Sequence, residues 1–393
     1  MNRVFILFIV LFLQLNLFAA CEREESLDSI NTIKLKDGTE LKGEIISSTD
    51  KSIKVILEKG KRIEVKNSRL IIEEAANFME GYAPVKIGGK WGYLDKKGSF
   101  AIVPKFDEAW NFSESLAVVK VNNKYGIIDS AGKYLIHPQY KFVTGYYEGL
   151  CGVYFNDKMV FLDTTGKIVL DKNFDFVYPF SGGRAAVRVN GIWGIIDKQG
   201  EYVVEPYFDE IKNFKEGLAA VKKGEKWGYV DRSGRIIIAP QYFIAGEFSE
   251  GVACAVVKEN WKDPYSILIN KDGEKVTDYQ FFVAGPVRDG LAVVVKMKRH
   301  FYIIKEYKSA FWDVIKNKPL TGFIFNDASV FTECLAPVRV GYEWGYIDTK
   351  GKMKIEPQFD DYTNFSEGLA AVSKGNRWGY INKSGNSMFG FLD

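Results

Sequence analysis

The sequence predicts an all-β protein built as a tandem array of short repeats, and three observations carry this prediction. A Trp-Gly-Tyr triplet or a close variant returns every 34 residues over much of the chain. A second marker, Glu-Gly-Leu or a close variant, returns with the same period. Short apolar runs separated by turn-forming dipeptides lie between the markers, a pattern typical of β-hairpins. A fixed period of this length indicates repeats that bury their apolar surfaces against one another.

The second marker counts nine repeats, which span residues 78–393, and the first marker follows the same period in seven of them. The first marker lies at Trp91-Gly92-Tyr93, Tyr125-Gly126-Ile127, Met159-Val160-Phe161, Trp193-Gly194-Ile195, Trp227-Gly228-Tyr229, Trp344-Gly345-Tyr346 and Trp378-Gly379-Tyr380. The second marker begins at Glu80, Glu114, Glu148, Gly182, Glu216, Glu250, Asp289, Glu333 and Glu367. Its longer steps after Glu250 and Asp289 indicate insertions in the sixth and seventh repeats, about residues 246–330.

The fifth repeat illustrates the secondary structure expected of each unit. An apolar run at 218–222 predicts a strand, and Gly224-Glu225 predicts a tight hairpin turn. The next strand carries Trp227-Gly228 and leads into an Asp-x-x-Gly turn. A third strand at 235–239 is expected to end at Pro240, which cannot donate to a central ladder. Such three-stranded meanders stack either as an open β-solenoid-like array or as a closed β-propeller, in which the first and last repeats touch.

The residues that define the repeat are predicted to be structural. We expect the tryptophans to form core rungs, with the adjacent glycine allowing close backbone approach; an exposed aromatic binding row is the alternative. They are Trp91, Trp193, Trp227, Trp344 and Trp378. The recurrent aspartates suit a tight turn better than a calcium ladder, because each repeat supplies only one. They include Asp95, Asp197, Asp231 and Asp348. No metal or cofactor site is predicted.

The segment 30–73 does not follow the repeat. Apolar and polar residues alternate from Ile33 to Ile45 and again from Ile53 to Val65, around Asp-Gly and Lys-Gly turns. This alternation predicts a small antiparallel barrel of four or five strands. The segment resembles the small Sm-like barrels that many exported bacterial proteins carry near the N-terminus.

The first residues have the pattern of an export signal. Arg3 precedes an apolar run that ends in Ala19-Ala20, so residues 1–20 are predicted to be a signal peptide and 21–29 a tether. The stretch from Leu17 to Cys21 resembles a bacterial lipobox. The resemblance implies acylation of Cys21, whose chains would anchor the protein to a membrane by burying methylenes at about 0.8 kcal/mol each. Phe18 replaces the usual leucine, which leaves plain secretion as the alternative.

The repeats resemble the WG (also called KWG) family, whose hallmark is a run like the one from Glu225 to Gly234. The resemblance covers residues 78–393 and implies a fold but no reaction. A tryptophan strand followed by an acidic turn and a glycine is also similar to the cell-wall-binding repeats of surface proteins. This second similarity is an analogy that favours the solenoid arrangement.

Composition and motifs argue against nucleic-acid binding and give no catalytic residues. The chain carries 53 basic and 50 acidic residues, so it has no electrostatic footprint for nucleic acid. Neither of its two histidines, His137 and His300, has a nucleophile pattern nearby. The acid pairs Asp107-Glu108 and Asp360-Asp361 stand in a slot that also holds Asp209-Glu210. Acids that recur in several repeats indicate a structural role.

The predicted function is therefore that of an exported surface lipoprotein, a binding or scaffolding module and not an enzyme. Its expected location is the cell envelope, where a lipid on Cys21 would anchor the protein to the membrane. Its expected partner is a protein or an envelope glycan. The alternative is an envelope hydrolase with a site in repeats six and seven. There, His300-Phe301 falls near the Trp-Gly slot, and the following insertion contains Phe311 and Trp312. These two aromatics are candidate exposed anchors, although packing in the core is the favoured interpretation.

Overall fold

The described part of the chain folds into antiparallel β-sheets. The computed structural model describes residues 31–49, 52–58, 60–66, 70–259, 263–300 and 303–390, without the side chains of 298–300 and 303–305. The predicted signal peptide and Cys21 lie outside these residues. Ten sheets and no helices are present in the described ranges. Accordingly, this part of the chain contains no helical segment able to span a membrane.

The N-terminal segment forms one four-stranded sheet. Its strands, in spatial order, are β1 (Thr32–Lys34), β2 (Glu40–Ser48), β3 (Ser52–Leu57) and β4 (Arg62–Lys66). The predicted alternation is present, and β1 and β4 are the outer strands of the sheet. The residues after β4 meet the β1 edge only through an isolated Leu35–Leu70 bridge and a hydrogen bond from the Ile71 N–H to the Lys34 carbonyl, so the described strands do not form the closed barrel that was predicted. Its apolar face, including Ile33 and Val55, packs against repeats one and nine. Because the repeats already cover that face, the sheet has no apolar surface left to bury by closing on itself.

Each repeat forms its own sheet with strands in chain order. Repeats one to three contain β5 (Glu74–Ala75), β6 (Tyr82–Ile87), β7 (Lys90–Asp95), β8 (Phe100–Phe106), β9 (Glu108–Ala109), β10 (Leu116–Val121), β11 (Lys124–Asp129), β12 (Tyr134–Tyr140), β13 (Val143–Tyr147), β14 (Leu150–Phe155), β15 (Lys158–Asp163) and β16 (Ile168–Phe174). Repeats four to six contain β17 (Phe176–Val177), β18 (Arg184–Val189), β19 (Ile192–Asp197), β20 (Tyr202–Phe208), β21 (Glu210–Ile211), β22 (Leu218–Lys223), β23 (Lys226–Asp231), β24 (Ile236–Tyr242), β25 (Ile244–Ala245), β26 (Val252–Val257) and β27 (Tyr265–Asn270). Repeats seven to nine contain β28 (Val283–Arg288), β29 (Leu291–His300), β30 (Ile303–Asp313), β31 (Lys318–Pro319), β32 (Asp327–Ala328), β33 (Leu335–Val340), β34 (Glu343–Asp348), β35 (Met353–Phe359), β36 (Asp361–Tyr362), β37 (Leu369–Lys374), β38 (Arg377–Asn382) and β39 (Ser387–Phe389).

The three predicted strands are present in the regular repeats, and a short strand precedes them. In repeat five this extra strand is β21, which pairs with β22. Two residues are too few to give an alternation signal, which is why the sequence pattern did not reveal it. Eight of the nine repeat sheets therefore have four strands, and the sixth has three.

The glycine of the Trp-Gly pair lets the fourth strand continue past its proline. Trp227 pairs with Tyr242 and Tyr229 pairs with Ile238, so residues 239–241 bulge opposite Gly228. A Cβ on Gly228 would lie 2.3 Å from the carbonyl oxygen of Ile238. The bulge also places Pro240 where no ladder N–H is required. The expectation that this strand ends at Pro240 is thus wrong.

The strands are buried on both faces. In β22, Ala219 and Val221 pack against repeat four, whereas Leu218 and Ala220 pack against repeat six. Successive side chains of a strand point to opposite faces, so a continuous apolar run is needed when a sheet stands between two others. The repeats accordingly pack face to face along the array.

An acidic residue in each second marker joins one repeat to the next. The Glu216 carboxylate accepts hydrogen bonds from the backbone N–H of Glu250 at 2.5 Å and of Gly251 at 2.9 Å. Lys271 lies 3.3 Å from the same carboxylate. Burial opposes ionisation of Glu216, but these donors outweigh it and lower its pKa. We call this series of contacts the acid ladder.

The acid ladder runs through eight of the nine repeats. Its acceptors are Glu80, Glu114, Glu148, Glu216, Glu250, Asp289, Glu333 and Glu367. In each of these contacts one acidic side chain and one or two N–H groups join the equivalent loops of two successive repeats.

The same contacts join repeat nine to repeat one. The Gly81 N–H donates to the Glu367 carboxylate at 3.1 Å, and the Ser366 hydroxyl donates to the carbonyl of Phe78 at 2.6 Å. The Tyr380 hydroxyl donates to the carbonyl of Ala76 at 2.8 Å. Tyr93, Tyr229 and Tyr346 make the equivalent bond to a residue 17 positions further along the chain.

Residues before the first repeat complete the ninth sheet. The Trp378 N–H donates to the carbonyl of Ile72 at 3.0 Å, and the two residues form an antiparallel bridge. In repeat five the equivalent bridge joins Trp227 to the end of its own fourth strand. Ile72 thus replaces the end of the last strand with a residue from the other end of the array.

These contacts close the nine sheets into a ring. The predicted all-β array of tandem repeats is confirmed, and of its two possible arrangements the structure has the closed, propeller-like one. The open arrangement would have kept repeats one and nine apart. Closure occurs because each sheet has two apolar faces, and an open array would leave one face exposed at each end.

Replacing Tyr380 with phenylalanine tests the closure. The variant removes the hydroxyl and leaves the Ala76 carbonyl without its donor, which should lower the free energy of unfolding by about 1–3 kcal/mol. Tyr93→Phe removes the equivalent bond inside the array and is the matched control. Urea unfolding should give similar losses for both variants; a Tyr380→Phe protein as stable as wild type would show that the ring is open.

Candidate functional site

The tryptophans of the repeat lie in the core between sheets. Trp193, Trp227 and Trp344 are only 7–9% exposed, and Trp91 and Trp378 are half-buried. Tyr178 stacks on Trp193 at a ring distance of 5.1 Å, and the Lys212 ammonium lies 5.4 Å from the Trp227 ring centre. Rings covered in this way cannot stack on an external ligand. The tyrosine two residues further on is buried completely, as at Tyr229.

The recurrent aspartates hold the tight turns that follow the tryptophan strands. The Asp231 carboxylate accepts from the N–H of Ser233 at 2.9 Å and of Arg235 at 3.0 Å. A hydrogen bond from the Ser233 hydroxyl is the largest of the effects that lower the pKa of Asp231. The same two backbone bonds occur at Asp95, Asp197 and Asp348.

The recurrent acid pairs also have structural partners. Asp209 accepts from the N–H of Gly224 at 2.6 Å and so supports the hairpin turn of the next repeat. Glu210 forms an ion pair with Lys222 on the neighbouring strand at 2.5 Å. Asp107 and Glu108 make equivalent contacts with Asn122 and Lys120, and Asp360 accepts from Gly375. These acids are therefore engaged in hydrogen bonds and ion pairs within the fold.

Repeats six and seven depart from this pattern at one rim of the ring. We define the hairpin rim as the edge formed by the turns between the second and third strands of the repeats, such as 224–225. In repeat six, Val257 pairs with Tyr265, so seven residues replace the usual two. In repeat seven, Lys296 and Lys308 pair where a regular turn would begin, and residues 297–307 extend the hairpin.

The strand pairing also shows which residues of these repeats occupy the positions of the Trp-Gly pair. Ser266 and Ser309 occupy the tryptophan position, and Ile267 and Ala310 occupy the glycine position. The expectation that His300-Phe301 lies near this slot is therefore wrong. The insertion of repeat seven precedes the slot, whereas the sequence interpretation placed it after. Without a Trp-Gly pair in the sequence, nothing indicated which residues would pair with β29.

Phe311 and Trp312 are core residues of repeat seven. Phe311 is fully buried against Phe325 and Phe331, and Trp312 is 6% exposed against Phe281. They occupy the positions of Tyr229 and Val230 in repeat five. The suggestion that they are exposed binding aromatics is corrected accordingly, because the register turns both rings into the sheet interfaces.

A cleft of about 330 Å³ lies between the two irregular hairpins. Its walls combine carboxylates, aromatic rings, an amide and an ammonium group. The lining residues are Glu259, Asp263, Pro264, Tyr265, Gln280, Phe281, Phe282, Lys296 and Met297. The Tyr265 hydroxyl donates to Glu259 at 2.9 Å, and the Phe282 ring lies 5.3 Å from that of Tyr307. The cleft thus combines residues of the longer hairpins, such as Glu259 and Asp263, with residues at regular repeat positions, such as Phe281.

The extended hairpin concentrates positive charge. Residues 296–308 contain five lysines or arginines and one glutamate, a net charge of +4, whereas the whole chain carries +3. The rest of the chain therefore sums to −1. Four residue pairs continue the hairpin beyond Lys296 and Lys308. At about 3.3 Å per residue, the paired strands project roughly 13 Å beyond a regular turn.

The chain enters the ring at the same rim. A Cβ on Gly88, in the hairpin turn of repeat one, would lie 2.8 Å from the Ile33 side chain. Ile33 belongs to β1, the first strand described, so this strand lies at the hairpin rim. The cleft, the cationic hairpin and the N-terminal entry all belong to this rim, whereas the acid ladder lies at the opposite ends of the second strands.

Comparison with known proteins identifies the repeats. The family model described as "WG containing repeat" matches residues 70–91, 91–125, 125–158, 161–191, 193–227, 227–261 and 344–378, which together exceed half of the chain. The chain belongs to this WG-repeat family. The first match begins at residue 70 and so includes Ile72, the residue that completes the ninth sheet. No match was found among curated proteins.

Several solved structures are distantly similar to this WG-repeat protein. Dihydro-heme d1 dehydrogenase NirN is 12% identical, with a TM-score of 0.41 over 77% of this chain and 74% of its own. AztD of Citrobacter koseri is 12% identical, with a TM-score of 0.36 over 79% and 94%. Hsv2 of Kluyveromyces lactis, with loop 6CD replaced by a linker, is 9% identical, with a TM-score of 0.37 over 60% and 98%. Similarity at this level is not informative about function.

Replacing Trp227 with alanine tests the packing of the WG tryptophans. Because Trp227 is buried between repeats five and six, the variant should lose about 3–5 kcal/mol of unfolding free energy. Tyr207→Ala is the control, because Tyr207 is 50% exposed and a surface change usually stays within about 0.5 kcal/mol. Denaturant titration measures both. An unchanged midpoint for Trp227→Ala would contradict the core assignment.

Proposed function

We propose that this WG-repeat protein is an exported, lipid-anchored binding module of the bacterial cell envelope, and that it binds its partner at the hairpin rim of repeats six and seven. The observation that carries the proposal is the cleft between the two irregular hairpins. In the regular repeats, the tryptophans, aspartates and paired acids are engaged in holding sheets and turns together. Repeats six and seven replace these residues and form a cleft lined by carboxylates, aromatic rings and an ammonium group.

The charge of the extended hairpin favours an anionic partner. A net charge of +4 within residues 296–308, on a chain that is otherwise close to neutral, gives a local positive potential that attracts an acidic surface. We propose an anionic region of an envelope protein or glycan as this partner. The aromatic residues Tyr265 and Phe282 at the base of the hairpin supply the apolar contact that charge alone does not provide.

Binding is favoured over hydrolysis by the chemistry of the rim. The described cleft residues include two carboxylates, Glu259 and Asp263, but the Glu259 carboxylate already accepts the Tyr265 hydroxyl. His137 lies on the fourth strand of repeat two, with its ring 4.9 Å from that of Tyr134. It is thus in another repeat from the cleft. We therefore propose that the site recognises a ligand without transforming it.

Anchoring through Cys21 would place the hairpin rim near the membrane. Cys21 precedes the described fold by ten residues, and the chain enters at the hairpin rim. An extended chain spans at most about 3.3–3.6 Å per residue, so the anchor holds this rim within a few nanometres of the bilayer. The proposed partner is accordingly one that lies close to the membrane surface.

Shortening the hairpin tests the binding site. Replacing residues 297–307 by Asn-Asn, the turn found at residues 122–123, restores the regular hairpin between Lys296 and Lys308. The variant should keep the wild-type melting temperature and lose at least tenfold in capture of envelope fractions or purified peptidoglycan. Tyr207→Ala is the control for an exposed aromatic elsewhere. Undiminished capture by a folded shortened variant would refute the assignment of the site.

Replacing Cys21 with serine tests the anchor. Wild-type protein should incorporate labelled fatty acid and partition into detergent, and Cys21→Ser should do neither, because the acyl chains are attached to the thiol. Cys334→Ser is the matched control, since Cys334 is an exposed thiol within the fold. Equal labelling of the Cys21→Ser and wild-type proteins would exclude acylation at this position.

A further inference from the structure

The acid ladder is interrupted once, at repeat four. Every other repeat has Glu or Asp at the first position of the second marker, whereas repeat four has Gly182. The loop itself is unchanged, because the N–H groups of Gly182 and Gly183 donate to the Glu148 carboxylate as in the preceding repeats. Only the acid that would continue the ladder to repeat five is missing from the sequence.

The donors that this acid would serve are still in place in repeat five. Glu216 and Gly217 form the same two-residue turn as in the other repeats, with φ of 50° and 89°. In the other ladder contacts the equivalent N–H groups, such as those of Glu250 and Gly251, donate to a carboxylate. The N–H groups of Glu216 and Gly217 have no protein acceptor within the described residues.

The cation that normally accompanies the acid is also present. Lys198, Lys271, Lys383 and Lys96 each reach the carboxylate of the preceding repeat from the second position of the turn after the third strand, which begins with Asp or Asn and ends with Gly. Arg232 holds this position in repeat five. Its guanidinium lies against Gly182, where a Cβ would be 2.1 Å from Nη2. Arg184 adds a second guanidinium, whose Nε donates to the Arg232 carbonyl at 2.8 Å.

We propose that the point where the acid ladder is interrupted, between Gly182 of repeat four and the N–H groups of Glu216 and Gly217 in repeat five, is a carboxylate-binding site. Two parallel N–H groups and a guanidinium converge where a carboxylate is bound at eight other positions of the same ring. At five of those positions each N–H of the pair binds one carboxylate oxygen, as those of Glu114 and Ser115 do at 2.8 Å each with Glu80. At Asp289, Glu333 and Glu367 the second N–H of the pair alone makes the contact. The ligand is therefore a planar carboxylate, held by the N–H pair of Glu216 and Gly217 and by Arg232.

The carboxylate comes from one of two sources. An acidic side chain of a bound protein or peptide would complete the ladder from outside, and a small free carboxylate would do the same alone. Both kinds of ligand would bind the same N–H and guanidinium donors. They are therefore distinguished by their affinity and not by the geometry of the contact. This site is remote from the cleft of repeats six and seven, and it stands or fails independently of the function proposed for that cleft.

Restoring the acid within the chain is the first test. Gly182→Glu should raise the melting temperature above those of Gly182→Ala and Gly182→Gln, because only the carboxylate can bind both N–H groups and Arg232. All three variants place a side chain at a positive φ, which glutamate already adopts at Glu216 and Glu250. The gain should shrink when Arg232→Ala is added. A Gly182→Glu protein no more stable than Gly182→Ala would overturn the proposal.

Ligand titration is the second test and identifies the source. In protein labelled with ¹⁵N-glycine, acetate should shift the Gly217 amide resonance saturably and leave Gly251, already bound to Glu216, unchanged. The Gly182→Glu variant should show no shift. A peptide such as acetyl-Glu-Gly-Leu-amide that binds at least tenfold more tightly than acetate indicates a protein source, and equal affinity indicates a free carboxylate. No saturable shift of Gly217 with either probe would overturn the proposal.

Discussion

The ring depends on one repeated interaction, in which a carboxylate of one repeat binds one or two backbone N–H groups of the next. The donors are available because a two-residue turn at positive φ directs its N–H groups outward, as at Glu250 and Gly251. The same residue that adopts the turn supplies the next carboxylate. Apart from repeat four, which lacks the acid, and repeat five, whose N–H pair has no carboxylate partner, each repeat is thus both donor and acceptor.

The glycine beside the tryptophan sets the second constraint, inside each sheet. Gly228 admits a bulge of three residues in the fourth strand, and the bulge accommodates Pro240 and returns Tyr242 to its partner Trp227. The tryptophan then fills the space between its own sheet and the next. In repeats six and seven, where Ser266-Ile267 and Ser309-Ala310 replace the pair, the fourth strand is reduced to isolated bridges or two residues, whereas repeat three keeps its fourth strand with Met159-Val160. The irregular repeats can therefore carry longer hairpins and a cleft.

The regular repeats and the irregular positions of this protein have different roles. In the regular repeats the acids and aromatic rings contact neighbouring repeats. Few of these side chains therefore remain available to bind a partner. The departures from the pattern are where polar groups lack an internal partner or where new surface is formed. Two such places exist at opposite rims: the hairpins of repeats six and seven, and the position of Gly182.

The sequence alone determined the all-β class, the nine repeats, the hairpin turns and the structural role of Asp231, because each depends on local periodicity and turn chemistry. It did not determine closure, since Ile72 and Trp378 are 306 positions apart and no local pattern links them. Nor did it determine the register of repeat seven, where Phe311 and Trp312 became core residues once β29 and β30 were paired. The missing acid at Gly182 was visible in the sequence, but its consequence was not. Only the tertiary structure brings Glu216, Gly217 and Arg232 to that point, because packing between repeats, and not chain order, decides which groups meet.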